Sequence, residues 1–474
     1  MWLATVSGVI LTLELVGIAA AVNAILNART PQGAIAWGLA LVCFPYLSLP
    51  LYLVFGRSKF NGTVNSRRAS NDRLAGVRRE LLAATSSNVV PLEGHFASAR
   101  VLSQLSHLPF LNGNSVELLI NGERTYDAMF SSLDQAKDFV LAEFFIVRDD
   151  ETGRAFCNRL IAAAQRGCRV YLLYDEVGSR GISEKLLGHL RASGVCVSAM
   201  KPTKGLYNRF QINFRNHRKT VVIDGDLAFV GGLNVADDYV GKHVRLTPWR
   251  DTHLKFSGPA VLSLQLSFVE DWLWATGDVL ELEWKPAVSK ADDKVLFVMP
   301  SGPDDDFETC SLFFTHTINS AKKRIWIATP YFVPDIAVAS ALKLAAFRGV
   351  DVRVIIPGLA DKWIVKQAAY SYISDIARSG VKFYEYGRGF MHQKVAVVDE
   401  RASIVGTANM DNRSFRLNFE VTTLVLDESF TDQVEAMLSE DLENSRLICL
   451  EELNSRGVWH RLSSRGSRLL APVL

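Results

Sequence analysis

Two segments of the chain carry the same reactive side chains at the same spacing. The first reads Asn216-His217-Arg218-Lys219, runs through an apolar stretch to Asp224, and continues through Gly231 and Gly232 to Asn234. The second reads Met391-His392-Gln393-Lys394, reaches Asp399, and continues through Gly406 and Thr407 to Asn409. His and Lys two positions apart share one face of a strand. Imidazole serves as nucleophile or general acid/base near neutral pH. A lysine cation and an asparagine amide both suit phosphate oxygens, and glycine lets the backbone approach closely. Two such sets brought together would surround one phosphate with His217, Lys219 and Asn234 from one side and His392, Lys394 and Asn409 from the other. That is equipment for phosphoryl-type transfer in which lysines carry the charge-stabilising role that a metal plays elsewhere. Asp224 and Asp399 complete the two candidate catalytic sets. They end their strands, so backbone bonding or fixing of the lysine is the alternative role for them.

The elements that must position these groups form an α/β pattern. Phe139-Val-Leu-Ala-Glu-Phe-Phe-Ile146 and Val170-Tyr-Leu-Leu-Tyr174 are short β-rich runs, and helical spacing lies between them, from Gly153 to Arg166. Such alternation predicts βαβ units and a mainly parallel sheet. The pattern then recurs. Ala136-Lys137 before one strand corresponds to Ala321-Lys322 before Ile325-Trp-Ile-Ala328, and Arg166-Gly167 corresponds to Arg348-Gly349. The offsets, 185 and 182 residues, lie close to the 175 that separates the two His-Lys segments. A duplication of this period predicts two similar α/β domains that pair to build one site.

The chain has 474 residues, with 52 Lys+Arg against 50 Asp+Glu and a formal net charge of +2. That length predicts two or three domains, and the near-neutral balance argues against a generally basic nucleic-acid binder. Hydrophobic residues at 49% and charged residues at 22% exclude a disordered chain. The six cysteines form no CxxC pair and match no zinc spacing, so buried free thiols are expected. Neither a P-loop nor a metal-ligand cluster is visible, and no cofactor is expected.

The hydrophobic excess sits at the N-terminus. Trp2 to Leu26 is an apolar run whose only charge is Glu14, and Ala34 to Phe55 carries no charge. Each is long enough to cross the roughly 30 Å hydrocarbon core as a helix, and the short turn between them predicts a hairpin. A cleaved signal peptide fits poorly, because no basic residue precedes the first run and a second follows at once. Arg57, Lys59, Arg67, Arg68, Arg73, Arg78 and Arg79 come directly after the second run, whereas the turn holds only Arg29. The positive-inside rule then puts the turn outside and the rest of the chain in the cytoplasm. The same basic stretch would be attracted to anionic head groups.

The doubled HxKxxxxD with its trailing GxxN resembles the phospholipase D superfamily. Pro248-Trp249-Arg250-Asp251-Thr252-His253, Thr329-Pro330-Tyr331-Phe332-Val333-Pro334 and Asn409-Met-Asp-Asn-Arg-Ser-Phe415 further resemble the bacterial cardiolipin synthases within it. The resemblance implies an α/β fold: two tandem phospholipase D-like domains related by pseudo-twofold symmetry, preceded by the transmembrane hairpin. On that basis residues 1–56 form the two spans, 57–109 a basic membrane-proximal linker, 110–275 the first domain, 276–294 a linker, and 295–474 the second domain with a C-terminal extension. The implied activity is phosphatidyl transfer between two phosphatidylglycerol molecules, giving cardiolipin and glycerol through a phosphatidyl-histidine. His217 is the preferred nucleophile and His392 the acid/base, with the reverse order left open by the pseudo-symmetry. Phospholipase D-type hydrolysis or another phosphatidyl transfer is the alternative; a nuclease or a catalytically dead lipid-binding protein fits less well. The resemblance also implies that Asp251 and Glu420 orient the histidines, with ion pairs to Arg250 or Arg416 as the alternative for them. Partners are expected to be phosphatidylglycerol and anionic lipids of a bacterial inner membrane, with no nucleic acid; the oligomeric state is left open. Gly232, where many members carry Ser, is expected to matter little. Phe and Leu residues between Leu206 and Phe214 are the first candidates for a second interfacial surface.

Overall fold

The computed structural model describes residues 2–28, 30–56, 61–93, 99–201, 213–287 and 292–474. Arg57, Lys59 and the expected interfacial residues 206–212 lie outside this set. The described chain divides into two compact units. One comprises residues 1–68 and 201–214 and the other nearly all the rest.

The first unit is built on α1 (Trp2–Asn27), α2 (Pro31–Cys43) and α3 (Pro45–Phe55). Thr30 starts α2 as an N-cap, its hydroxyl accepting from the Gly33 N–H at 3.1 Å. The apolar residues Ala21, Ala24, Leu41 and Tyr52 pack together, and the Tyr52 hydroxyl donates to Asn23 Oδ1 at 2.9 Å. α1 is long and apolar enough to cross a membrane. The expected second span is instead two shorter helices of 13 and 11 residues. The break falls at Phe44, which leaves helical geometry (φ −139°, ψ 58°) because Pro45 follows it. Pro50 lies inside α3 without ending it.

The second unit is organised around one continuous sheet. Its first half contributes β1 (Leu111–Ile120), β2 (Phe139–Phe144), β3 (Arg169–Asp175), β4 (Cys196–Met200), β5 (Lys219–Ile223), β6 (Leu227–Gly231) and β7 (Thr252–Ser257). The second half contributes β8 (Lys294–Ser301), β9 (Arg324–Ala328), β10 (Asp351–Pro357), β11 (Lys382–Tyr386), β12 (Val395–Val398), β13 (Ala402–Gly406) and β14 (Asn418–Leu426). The order across the sheet is β11-β10-β9-β12-β13-β14-β8-β1-β7-β6-β5-β2-β3-β4, with a short strand, Ser445–Leu447, added outside β11. Read inward from β11 or from β4, the two halves repeat the same order and meet at the antiparallel β1–β8 pair. The duplication seen in the sequence is therefore a duplication of topology.

The expectation of a mainly parallel sheet is corrected. Among the fourteen strands named, β9–β10–β11 in one half and β2–β3–β4 in the other pair in parallel, and the remaining neighbours pair antiparallel. The strands after each His-Lys segment pair antiparallel, because β5–β6 and β12–β13 are hairpins closed by tight turns that no parallel pair can use. Asp224 and Asp399 adopt positive φ at these turns, 54° and 52°. Buried strand residues such as Val221, Val222, Val397 and Val405 form the core with the helices on the sheet. The expected linker 57–109 contains a helix, Asn61–Ala84, whose Leu74 and Leu81 enter the core of this unit. Two of its basic residues are held by the same unit: Arg78 pairs with Glu270 at 2.5 Å, and Arg73 donates to the Gly277 carbonyl at 2.8 Å.

Candidate active site

His217 and His392 each stand just before a central strand, β5 or β12, and each is held by the opposite half of the sheet. The His217 amide donates to the Phe419 carbonyl at 2.9 Å, and the His392 amide donates to the Arg250 carbonyl at 2.7 Å. These bonds belong to two short parallel pairings, Arg215–Asn216 with Asn418–Phe419 and Phe390–Met391 with Trp249–Arg250. The next residue on each partner strand is a carboxylate. Glu420 therefore meets His217 Nδ1 at 2.9 and 3.0 Å, and Asp251 meets His392 Nδ1 at 2.9 Å. Each histidine is oriented by a carboxylate of the other half. With Nδ1 bound to a carboxylate, Nε2 is left for chemistry.

The alternative ion pairs do not form. Arg250 pairs with Asp441 and Arg416 with Glu308 and Asp335.

Both lysines are buried beside the rings. Lys219 Nζ donates to the His217 carbonyl at 2.5 Å, and Lys394 Nζ lies 3.1–3.2 Å from the His392 ring nitrogens. Burial brings the Lys219 ammonium down to about 7 and Lys394 to about 8. Burial, followed by the charges of Lys219 and Lys394, holds His217 well below the ordinary histidine range, and burial with Lys394 brings His392 down to about 4. Both imidazoles are thus neutral in the empty site at neutral pH. The carboxylates differ. Burial pushes Glu420 up to about 7, against the Lys219 charge and donors from Thr407, Asn418 and Ser414. Burial acts in the same direction on Asp251, but the His392 charge and hydrogen bond outweigh it and hold Asp251 at about 2.

Aromatic rings wall the site. Phe145 lies 5.0 Å from the His217 ring, and Trp249 and Tyr239 lie 5.2 and 6.1 Å from His392. The histidine side chains are only 11% and 8% exposed, which limits water at the reacting nitrogens.

The structure separates the two aspartates of the motif from this centre. Asp224 lies beyond the far end of β5, where its carboxylate accepts the amides of Lys137, Asp138 and Phe139 at 2.8–2.9 Å. Asp399 accepts those of Lys322, Lys323 and Arg324 at 2.7–3.2 Å. These contacts match the backbone-bonding alternative for Asp224 and Asp399: each holds the start of the neighbouring strand, β2 or β9. The asparagines are held by contacts within their own halves. Asn234 accepts from the Ile146 amide at 2.9 Å and donates to the Tyr239 hydroxyl at 2.7 Å, so its amide ties two loops together. Asn409 donates to Asp411 at 3.2 Å. Gly232 lies against the orienting carboxylate: a Cβ there would meet Asp251 Oδ1 at 2.0 Å. At the matching position Thr407 donates to Glu420 Oε2 at 2.6 Å.

Sequence reasoning missed a buried layer behind the histidines. Arg218 pairs with Asp271 and donates to the Glu420 carbonyl at 3.0 Å. Beside it, Asn216 donates to Glu143, whose carboxyl burial raises well above the usual range. In the other half Gln393 donates to Asp441 at 2.7 Å, and Arg250 grips the same carboxylate at 2.8 and 2.9 Å. A charged residue within each apolar run was the available signal.

Two topologically matched halves, with paired His-x-Lys segments around one centre, define a phospholipase D-type phosphodiester site. The family model described as "Cardiolipin synthase, PLD-like domain" matches residues 129–244 and 314–442, and "Phospholipase_D-nuclease N-terminal" matches 15–57. Among curated proteins, Cardiolipin synthase A of Pseudomonas putida strain GB-1 is 46% identical over 473 residues, 98% of this chain and 97% of its own length. Cardiolipin synthase A of Pseudomonas fluorescens strain SBW25 is 44% identical, covering 98% of each chain. The solved phosphatidylserine synthase of Haemophilus influenzae Rd KW20 shares the fold, with TM-score 0.60 at 16% identity over 80% of this chain and all of its own. The chain belongs to the phospholipase D-like cardiolipin synthase family. With α1 and these relatives, it is membrane-associated.

Proposed function

We propose that this site moves a phosphatidyl group between two phosphatidylglycerol molecules, giving cardiolipin and glycerol. His217 Nε2 attacks phosphorus and the bond to the glycerol oxygen breaks; His392, which takes up a proton as the anionic phosphodiester binds beside it, gives that proton to the oxygen. His392 then removes a proton from the hydroxyl of a second phosphatidylglycerol, whose oxygen attacks the phosphatidyl-histidine and frees His217. One phosphodiester is exchanged for another, so the cycle needs no external energy source.

The crossed carboxylates carry this reading, since neither half alone holds an oriented histidine. The division of roles follows from their difference. Asp251, ionised throughout, suits a histidine that must hold a proton during the reaction. Lys219 and Lys394 bear the phosphate charge, which in turn keeps them protonated. Limited exposure of the histidines favours a lipid hydroxyl over water as acceptor. We further infer that the N-terminal helices form a multi-pass anchor in the inner membrane with the catalytic halves on the cytoplasmic side. The test is thin-layer analysis of products from labelled phosphatidylglycerol and purified protein. Cardiolipin with free glycerol is expected; phosphatidic acid alone would replace transfer by hydrolysis.

A further inference from the structure

Two helices of the second half, α4 (Trp363–Ile376) and α5 (Val458–Arg468), pack along a common seam. α5 packs with the wrong face outward for a water-facing element. Its inward side is polar. Ser463 and Ser464 donate to Gln367 Oε1 of α4 at 3.4 and 3.2 Å, and the His460 ring lies 5.6 Å from Tyr370. The outward side is apolar: Val458 is 67% exposed, Trp459 82% and Leu462 60%, and Leu469 just beyond the helix is 81%. A helix of a water-soluble domain turns such a stripe to the core. Basic residues flank the stripe, and no acidic residue occurs from Gly457 to Leu474.

Along the α4–α5 seam runs a cleft of about 510 Å³, lined by Arg378, Arg461, Arg465, Arg468, His460 and Asp375 among others. Its one carboxylate, Asp375, is engaged by Lys343 at 2.8 Å. Arg468 lies over the Tyr372 ring at 4.2 Å. Arg378, Arg461 and Arg465 make no ion pair among the described residues.

We propose that α5 and this cleft form a second, interfacial membrane contact: Val458, Trp459, Leu462 and Leu469 enter the head-group boundary of an anionic bilayer, and the arginines receive the phosphodiester of a lipid head group. An amphipathic helix with tryptophan on the apolar side and arginines at its border has the composition for lying in that plane. The arginine cluster matches the charge of acidic lipids. The contact rests on membrane association and not on which alcohol accepts the phosphatidyl group. It would hold the catalytic halves against the surface that supplies their lipid.

The test uses the full chain with Cys43, Cys196 and Cys449 changed to Ser and Leu462→Cys carrying a bimane fluorophore. The protein is reconstituted into vesicles of phosphatidylglycerol and phosphatidylcholine containing spin-labelled lipid. Strong quenching by the lipid spin label is expected, falling several-fold in pure phosphatidylcholine or in the Arg461→Glu/Arg465→Glu variant. Quenching by aqueous iodide alone would overturn the proposal. So would lipid protection that disappears on dilution of the protein, since that identifies a second copy as the occupant. In mixed micelles the double variant should raise the surface-concentration KM several-fold with kcat unchanged; equal KM would remove the head-group role. The fluorescence readout is independent of turnover, so failure of the contact and failure of cardiolipin synthesis are distinguishable.

Discussion

The two half-sites place the same groups by the same strands, yet they solve the buried-charge problem differently. Asp271 receives its arginine from Arg218, inside the His-x-Lys of its own half, with the Phe419 ring 5.8 Å from the guanidinium. Asp441 receives Arg250 from across the seam, and the residue between His392 and Lys394 is the neutral Gln393. What the duplication keeps is a buried guanidinium–carboxylate pair behind each histidine; the strand that supplies the arginine has changed. The orienting carboxylates differ too. Glu420 is surrounded by three neutral donors and sits near 7, while Asp251 stays ionised at about 2. Pseudo-symmetry in geometry thus coexists with asymmetry in charge, which is what a nucleophile and an acid/base working in turn require.

The largest effect should come from the histidines. His217→Ala and His392→Ala should each lower cardiolipin formation by about 10⁴-fold or more, with thermal unfolding unchanged within a few degrees. Near-normal turnover of either variant would dissolve the shared site. The orienting pair should break the comparison less symmetrically. Asp251→Asn removes an ion and should cost about 10³-fold in kcat, whereas Glu420→Gln removes a group that is partly neutral already and should cost about tenfold less than that. Equal losses would show that the charge asymmetry has no mechanistic weight.

The arginines sharpen the comparison through stability. Arg218→Met leaves Asp271 buried without a cation, facing Asn216 at 3.5 Å and the raised Glu143 carboxyl, and should destabilise by about 3–5 kcal/mol in chemical denaturation. Arg250→Met leaves Asp441 its Gln393 donor, so its cost should fall at the low end of that range or below it. The reverse order would mean that the seam, and not the carboxylate, sets the energy. The smallest effect is on pH dependence. Lys219 and Lys394 lie below their ordinary value, so the free enzyme loses these charges as pH rises through about 7 to 8. Bound phosphate stabilises the charged forms and lifts them again. KM should therefore rise above about pH 8 while kcat holds; a kcat that falls with KM constant would contradict the phosphate-binding role.

Much of this was legible in the sequence because the duplicated motif lies in short runs of one period. His217, Lys219, His392 and Lys394 share faces that strand alternation dictates, and the α/β recurrence followed from matching flanks. The carboxylates Asp251 and Glu420 could be named, but not the crossing that pairs each with the opposite half, since it depends on two-residue pairings between segments about 140 and 200 residues apart. Asp224 and Asp399 could be read as catalytic or as backbone-bonding, because spacing along a strand reports face but not depth. Each lies beyond the strand end, about 16 Å from its lysine at the rise of an extended chain. Nothing in the spacing assigns a role to Arg218 and Gln393, between His and Lys. Their role emerges only once Asp271 and Asp441, on helices behind the sheet, come into contact. The second apolar run had the composition of a span, and Pro45 divided it.

Above all, one histidine from one half should carry the phosphatidyl group while the other half's histidine manages protons. Alkaline rapid quench of the protein with phosphatidylglycerol labelled in its phosphate, followed by peptide mapping, tests this directly. Label is expected on the peptide containing His217, lost in His217→Ala and still formed, slowly, in His392→Ala. Label on the His392 peptide, or none on either while cardiolipin is being made, would contradict that division of labour.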